Sequence, residues 1–182
     1  MVAPLLAAGA DPKVVDGGQF GTALHAAAYA HDVEAIKLLL AAGADVLVMV
    51  GKYGTVLQAA AKRDTVRSGW TAERHSVAAM KVLVAAGADA HARGGKYDSV
   101  LQMAAKSGNL EAVRWLVEVI GADVNAKGGR YGSVREAAVR KGRWGVVSYL
   151  ERKFGQVKWE GKYDNYKYWK GFTVNWEGQV IQ

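Results

Sequence analysis

Cysteine is absent from the 182 residues. Its absence excludes a disulfide framework and a cysteine nucleophile, and it removes the sulfur ligands of most structural zinc sites. The four histidines, His25, His31, His75 and His91, form no His-x-x-x-His pair with an acidic partner. A Gly-x4-Gly-Lys-Ser/Thr phosphate loop and a Gly-x-Ser-x-Gly nucleophile elbow are both missing. The glycine pairs before Lys96 and Arg130 have the wrong spacing for the first of these. No pair of carboxylates stands where a shared cleft would form. These gaps argue against an enzyme, a metal, a cofactor or a small-molecule substrate. No apolar run approaches the roughly 18 residues that span a bilayer. No Asn-x-Ser/Thr acceptor occurs, and the start of the chain lacks the basic region of a signal peptide. An intracellular chain, cytoplasmic or nuclear and not bound to a membrane, is the expectation. Acidic residues are also in short supply, 17 against 24 Lys and Arg, which leaves a net charge of +7. That balance favours acidic partners without defining a fold.

What the chain has is repetition. Gly9-Ala10-Asp11 returns as Gly43-Ala44-Asp45, Gly87-Ala88-Asp89 and Gly121-Ala122-Asp123, at spacings of 34, 44 and 34. Thr22-Ala23-Leu24 returns as Thr55-Val56-Leu57 and Ser99-Val100-Leu101, then weakly as Ser133-Val134-Arg135. A period near 33 means one supersecondary unit stacked several times. Thr22, Thr55, Ser99 and Ser133 are good N-caps, because a hydroxyl oxygen accepts from the free N–H groups of a first turn. Small residues follow, such as Ala26 to Ala28 and Ala59 to Ala61, and let a first helix lie close to its neighbours. A second helix then shows apolar residues at helical spacing: Val33, Ile36, Leu39 and Leu40, then Val77, Met80, Leu83 and Val84, then Leu110, Val113, Leu116 and Val117. Gly43, Gly87 and Gly121 stand where each second helix must stop, in the left-handed position glycine tolerates. A short extended segment and a Gly-rich turn complete the unit.

These phrases at this period resemble the ankyrin repeat family, over roughly residues 1 to 163. The fit is not complete. Only His25 supplies the family's histidine in the first phrase, where Gln58, Gln102 and Glu136 stand in the other units, and the family's proline after the threonine is missing throughout. The connecting segment Gly128 to Ser133 resembles a variant common in ankyrin arrays of large filamentous-fungal proteins. The resemblance implies an all-α helix-turn-helix solenoid of about five repeats, with short hairpin connections and non-catalytic protein binding. It also implies that His25 bonds to nearby backbone.

The units divide as follows. Residues 1 to 19 read as the back half of a repeat, which suggests a fragment of a longer array or an end covered by a partner. Repeat two spans about 20 to 52. Repeat three, about 53 to 96, carries an 11-residue insertion at 64–74, placed between its two helices. Repeat four, about 97 to 130, has one extra residue near Val119. Repeat five is degenerate. The repeat domain is drawn as 1–158 and an aromatic-rich tail as 159–182. Seven aromatic residues between Trp159 and Trp176 make that tail a lid over the last repeat, or an exposed grip for a partner. The alternation from Lys167 to Trp176 suits a short hairpin.

Stacking turns equivalent positions into rows on a surface. One row precedes the aromatic of each connecting turn: Gln19, Lys52, Lys96, Arg130 and Lys162. The next is Phe20, Tyr53, Tyr97, Tyr131 and Tyr163, expected to stack between adjacent hairpins. A third lies at the end of each first helix: Tyr29, then Lys62-Arg63, Lys106, and Arg140-Lys141. In the ankyrin family these hairpin-tip and helix-end positions line the concave groove that faces a partner. Here they hold nine of the 24 Lys and Arg. The row therefore reads as a basic stripe for an acidic protein segment, or as an ordinary solvated face. Trp70, in the insertion, is the isolated contact aromatic or else packs on neighbouring helices. A basic nucleic-acid binder and a structural subunit of a larger assembly are the rival functions.

Overall fold

The computed structural model describes residues 2–62, 70–155, 173–174 and 180–181, with side chains for 2–62 and 75–155. Among them lie nine helices: α1 Val2–Ala7, α2 Ala23–Ala30, α3 Val33–Ala41, α4 Val56–Ala60, α5 Trp70–Ala85, α6 Val100–Ser107, α7 Leu110–Glu118, α8 Val134–Arg140 and α9 Trp144–Phe154. The two-residue strands β1 Thr173–Val174 and β2 Val180–Ile181 pair antiparallel. The helices form two layers. First helices α2, α4, α6 and α8 pack in series, and second helices α1, α3, α5, α7 and α9 pack in series beside them. Each first helix also packs on its own second helix. This is an all-α solenoid, and α1 takes the second-helix place that the residues before Gly9 suggested. The aromatic tail, expected as a lid or as an exposed grip, falls outside the described residues apart from the strand backbone at 173–174 and 180–181.

The caps expected from the repeated phrase are present. Thr22, Thr55, Ser99 and Ser133 accept from the N–H of His25, Gln58, Gln102 and Glu136 at 3.1–3.2 Å. Leu24, Leu57 and Leu101, next in the phrase, are buried between the layers, as are Ile36, Met80, Leu83, Val113 and Leu116 from the second helices. At the end of α3 the N–H of Ala44 donates to the Leu39 carbonyl at 2.9 Å, around Gly43 at φ +90°. The end of α5 repeats this with Ala88, Leu83 and Gly87. At the end of α7 the equivalent bond runs from Ala122 to Leu116, one residue further back. The extra residue near Val119 is thereby absorbed in a wider turn, with Val119 itself exposed.

The insertion in part extends the start of a helix. It does not sit wholly between two helices, because α5 begins at Trp70 and includes Trp70 to Arg74. That helix has 16 residues, whereas α3 and α7 have nine each. The first helix of the same repeat is short, at five residues against eight in α2 and α6. Its shortness leaves carbonyls at the end of α4 without the next turn of helix to accept from. Side chains of three repeats take them up. The Ala60 carbonyl accepts from Ser76 Oγ at 2.7 Å and from His31 Nε2 at 2.9 Å. The Ala61 carbonyl accepts from Ser107 Oγ at 3.2 Å and from Asn109 Nδ2 at 3.5 Å. Asn109 Nδ2 also donates to Ser76 Oγ at 2.8 Å, and its Oδ1 caps α7 through the Ala112 N–H. Asn109 is fully buried, so Asn109→Ala removes a cap and leaves buried partners unsatisfied. A loss of about 2 kcal/mol is expected from urea unfolding followed by circular dichroism.

His25 does what the resemblance implied, across a repeat boundary. A carbonyl only accepts, so Nε2 carries the proton and donates to the Gly54 carbonyl at 3.1 Å. Nδ1 accepts from the Thr22 hydroxyl at 2.8 Å. Gln58 and Gln102 make the same link, donating Nε2 to the Gly94 and Gly128 carbonyls at 3.2 and 3.0 Å. Burial pushes the His25 pKa below its ordinary value, against the bond to Gly54, which raises it. The unfolded chain therefore takes up the proton first. Stability from this group is complete above about pH 6.5 and falls as pH drops from there toward the lower folded value. His25→Gln keeps the donor, as Gln58 and Gln102 demonstrate, and removes the titration. The urea midpoint of the wild type should fall more than that of the variant between pH 7 and pH 5.

Candidate functional site

Three connecting turns share one geometry. Val50 bridges Gly54, Gly94 bridges Asp98, and Gly128 bridges Gly132, each as an isolated antiparallel pair. The turns nest on one another through backbone. The Lys52 N–H donates to the Gln19 carbonyl at 2.9 Å, and the Arg130 N–H donates to the Lys96 carbonyl at 3.1 Å. Glycine is required for this approach. Gly51 has φ +66°, and a Cβ there would stand 2.5 Å from the Phe20 carbonyl oxygen. Lys52, Lys96 and Arg130 thus ride on a backbone ladder, exposed at successive turn tips.

The aromatic next to each of these cations points inward. Tyr53, Tyr97 and Tyr131 are buried. Tyr97 and Tyr131 stack with centroids 6.2 Å apart and planes 9° from parallel. Phe20 and Tyr53 stack at 6.1 Å and 20°, with Tyr29 from α2 lying 5.0 and 5.3 Å from them. Burial raises the Tyr53 phenol well above its ordinary range, helped by the neighbouring Tyr29. Stacking between adjacent hairpins, expected from one ring per repeat, is therefore seen in both of these pairs.

The helix-end cations lie across the rings. Lys62, just past α4, sits 4.0 Å over the Tyr29 ring and also donates to its hydroxyl. Lys106, in the last turn of α6, sits 4.9 Å over Tyr97, and Lys52 sits 6.0 Å over Tyr53. Cation–π attraction holds such ammonium groups in place, at about 0.5–1 kcal/mol each when exposed. Burial pushes the Lys106 pKa down. Tyr131 opposes that shift, and the charges of Lys141, Lys62 and Lys52 reinforce it. Lysines from three other repeats therefore act on the charge of Lys106.

Carboxylates are sparse on this edge but present, as Asp98 in a connecting turn and Glu136 on α8. The described ion pairs are Lys37–Glu34, Arg93–Asp98, Arg135–Glu151 and Lys153–Glu118, and none uses Lys52, Lys62, Lys106 or Lys141. Helices α2, α4 and α6 contain no Asp or Glu, whereas the second helices carry Glu34, Glu111, Glu118 and Glu151. Among the described residues no group of His, Asp and Glu could hold a metal ion.

The sequence-derived positions therefore separate. Lys62 lies over Tyr29, Lys52 over Tyr53 and Lys106 over Tyr97, and the charge of Lys141 reaches Lys106. Lys96 and Arg130 occupy turn tips along the same edge, and Arg140 is exposed at the end of α8. Arg63 and Lys162 fall outside the described residues, as does the side chain of Trp70. What the row reading missed is the support under the lysines. Tyr97 and Tyr131 were assigned to packing alone, yet Tyr97 fixes Lys106. The signal was a cation row and an aromatic row running in register, one helix length apart in sequence.

Residues 21–49 and 96–129 match the ankyrin repeat family model. These segments are ankyrin repeats. They correspond to α2–α3 with its outgoing segment and to α6–α7 with the turns on either side. Helices α4–α5 and α8–α9 pack in the same two layers. Comparison with curated proteins gives no match. Ankyrin repeats generally mediate protein–protein interaction and are typically non-catalytic. No described helix is long and apolar enough to cross a membrane.

Proposed function

We propose that this chain is a non-catalytic recognition module or scaffold that binds an acidic protein segment on the face formed by its hairpins and first-helix ends. The observation that carries this reading is a basic edge in which Lys52, Lys62 and Lys106 lie over Tyr53, Tyr29 and Tyr97, with neither these three nor Lys141 in a described ion pair. The charges of Lys141, Lys62 and Lys52 disfavour the charged form of Lys106, and an incoming anion offsets that. The rings beneath Lys52, Lys62 and Lys106 hold their ammonium groups in place, which lowers the side-chain entropy lost on binding. In the ankyrin family this edge belongs to the concave groove, so a partner segment can lie along it. The excess of basic residues also speeds encounter with an acidic partner, through steering that salt screens over about 8 Å at physiological ionic strength.

The test is fluorescence anisotropy with a glutamate-rich peptide across a salt series. Tenfold or more weakening is expected between 50 and 500 mM NaCl. Duplex DNA of random sequence serves as the competitor ligand. Tighter binding of the duplex, with a steeper salt slope, would replace the protein-partner reading by a nucleic-acid one.

A further inference from the structure

The acidic-segment reading leaves open what shape of ligand the face selects. Lys62, Lys106 and Lys141 stand at or just past the ends of α4, α6 and α8, one per repeat. First helices packed in series lie about 10 Å apart. A ligand running along the stack must therefore offer one anionic group per step of about that length, all on one side. An extended β-strand advances about 3.3 Å per residue, but residues three apart point to opposite faces. An α-helix advances about 1.5 Å per residue, so matched residues fall seven apart. A polyproline II segment has three residues per turn and rises about 3.1 Å per residue, so every third side chain recurs on one face after about 9 Å.

The surface discriminates between the last two. Docking of a helix uses an apolar groove that takes its hydrophobic face. None of the described exposed large hydrophobic residues lies on α2, α4, α6 or α8, and Val14, Val15, Leu47 and Met49 lie in the connecting segments of the first two units. Along the ends of α4, α6 and α8 the face offers cations and no apolar row. We propose that it recognises a polyproline II-type segment carrying an acidic residue at every third position, with one carboxylate placed against each of Lys62, Lys106 and Lys141. This rests on the acidic-partner reading given above.

Two twelve-residue peptides of one composition test the register. In the first, Glu-Pro-Ala is repeated four times. In the second, the four glutamates are contiguous and the Pro-Ala pairs flank them. The periodic peptide should bind the full chain at least tenfold more tightly at moderate salt. A charge exchange supplies the second measurement. Lys106→Glu should weaken the periodic peptide at least tenfold, and replacing one inner glutamate of that peptide by lysine should restore most of the loss. Equal affinity for the two peptides, or no recovery on charge exchange, overturns the register and leaves the acidic-partner reading standing. Binding of neither peptide overturns both.

Discussion

Reversing Lys52, Lys62, Lys106 and Lys141 together to glutamate should eliminate measurable binding of an acidic peptide. An exposed ion pair contributes about 0.2–1 kcal/mol. Reversal removes that attraction and substitutes a repulsion of similar size, so four sites together cost on the order of 4 kcal/mol. That corresponds to about a thousandfold in affinity. The neutral quadruple variant, with glutamine at all four positions, should lose only about half of this free energy. Helical circular dichroism should stay close to that of the wild type for both, because none of the four is a core residue. A modest decrease in unfolding midpoint is expected, since Lys62 and Lys106 lose their contacts with Tyr29 and Tyr97. Retained affinity in the glutamate variant would show that the stripe is merely solvated. Of the nine basic positions in the rows, Lys52, Lys62 and Lys141 are the ones whose charges reach Lys106.

Leu101→Ala should be the most damaging single core substitution of the repeated phrase. Leu101 is 2% exposed, on a helix that packs against α4, α7 and α8. Truncating a buried leucine costs about 2–5 kcal/mol, according to how far the site collapses. The total stability of a domain is typically only 5–15 kcal/mol. The position also matters. In a stack, stability is a sum of unit terms and nearest-neighbour interfaces, so a weak central unit uncouples the two ends. Chemical denaturation should show a lower midpoint and a broader or two-step transition. A single transition with an unchanged midpoint would mean that α6 does not couple its neighbours.

The degenerate fifth unit shows how far the repeated phrase can be read. Arg135 stands where Leu24, Leu57 and Leu101 are buried, and the sequence marks the change without saying where the charge goes. In the structure the Arg135 guanidinium pairs with Glu151 of α9 at 2.6 Å, so the last unit closes with an ion pair instead of a leucine. The insertion shows a similar limit. Its length is plain from the spacing of 44, yet a count of residues does not tell which of them join a helix. The assignment of Trp70 to Arg74 to α5 follows from the longer second helix.

Periodic phrases, cap hydroxyls, apolar spacing and terminal glycines are local properties. They act through bonds three to five residues long or through the 3.6-residue turn, so the chain by itself determined the two-helix unit, its number of copies and its excess of basic residues. Distances between units are different in kind, because they depend on how close one alanine-rich helix lies to the next. Only the packed structure decided that Lys52, Lys62 and Lys106, from three repeats, lie over a tyrosine row. The same packing brought His31, Ser76, Ser107 and Asn109 to the open carbonyls of a shortened helix. Residues more than thirty positions apart become neighbours through stacking, and stacking is a property of the whole array.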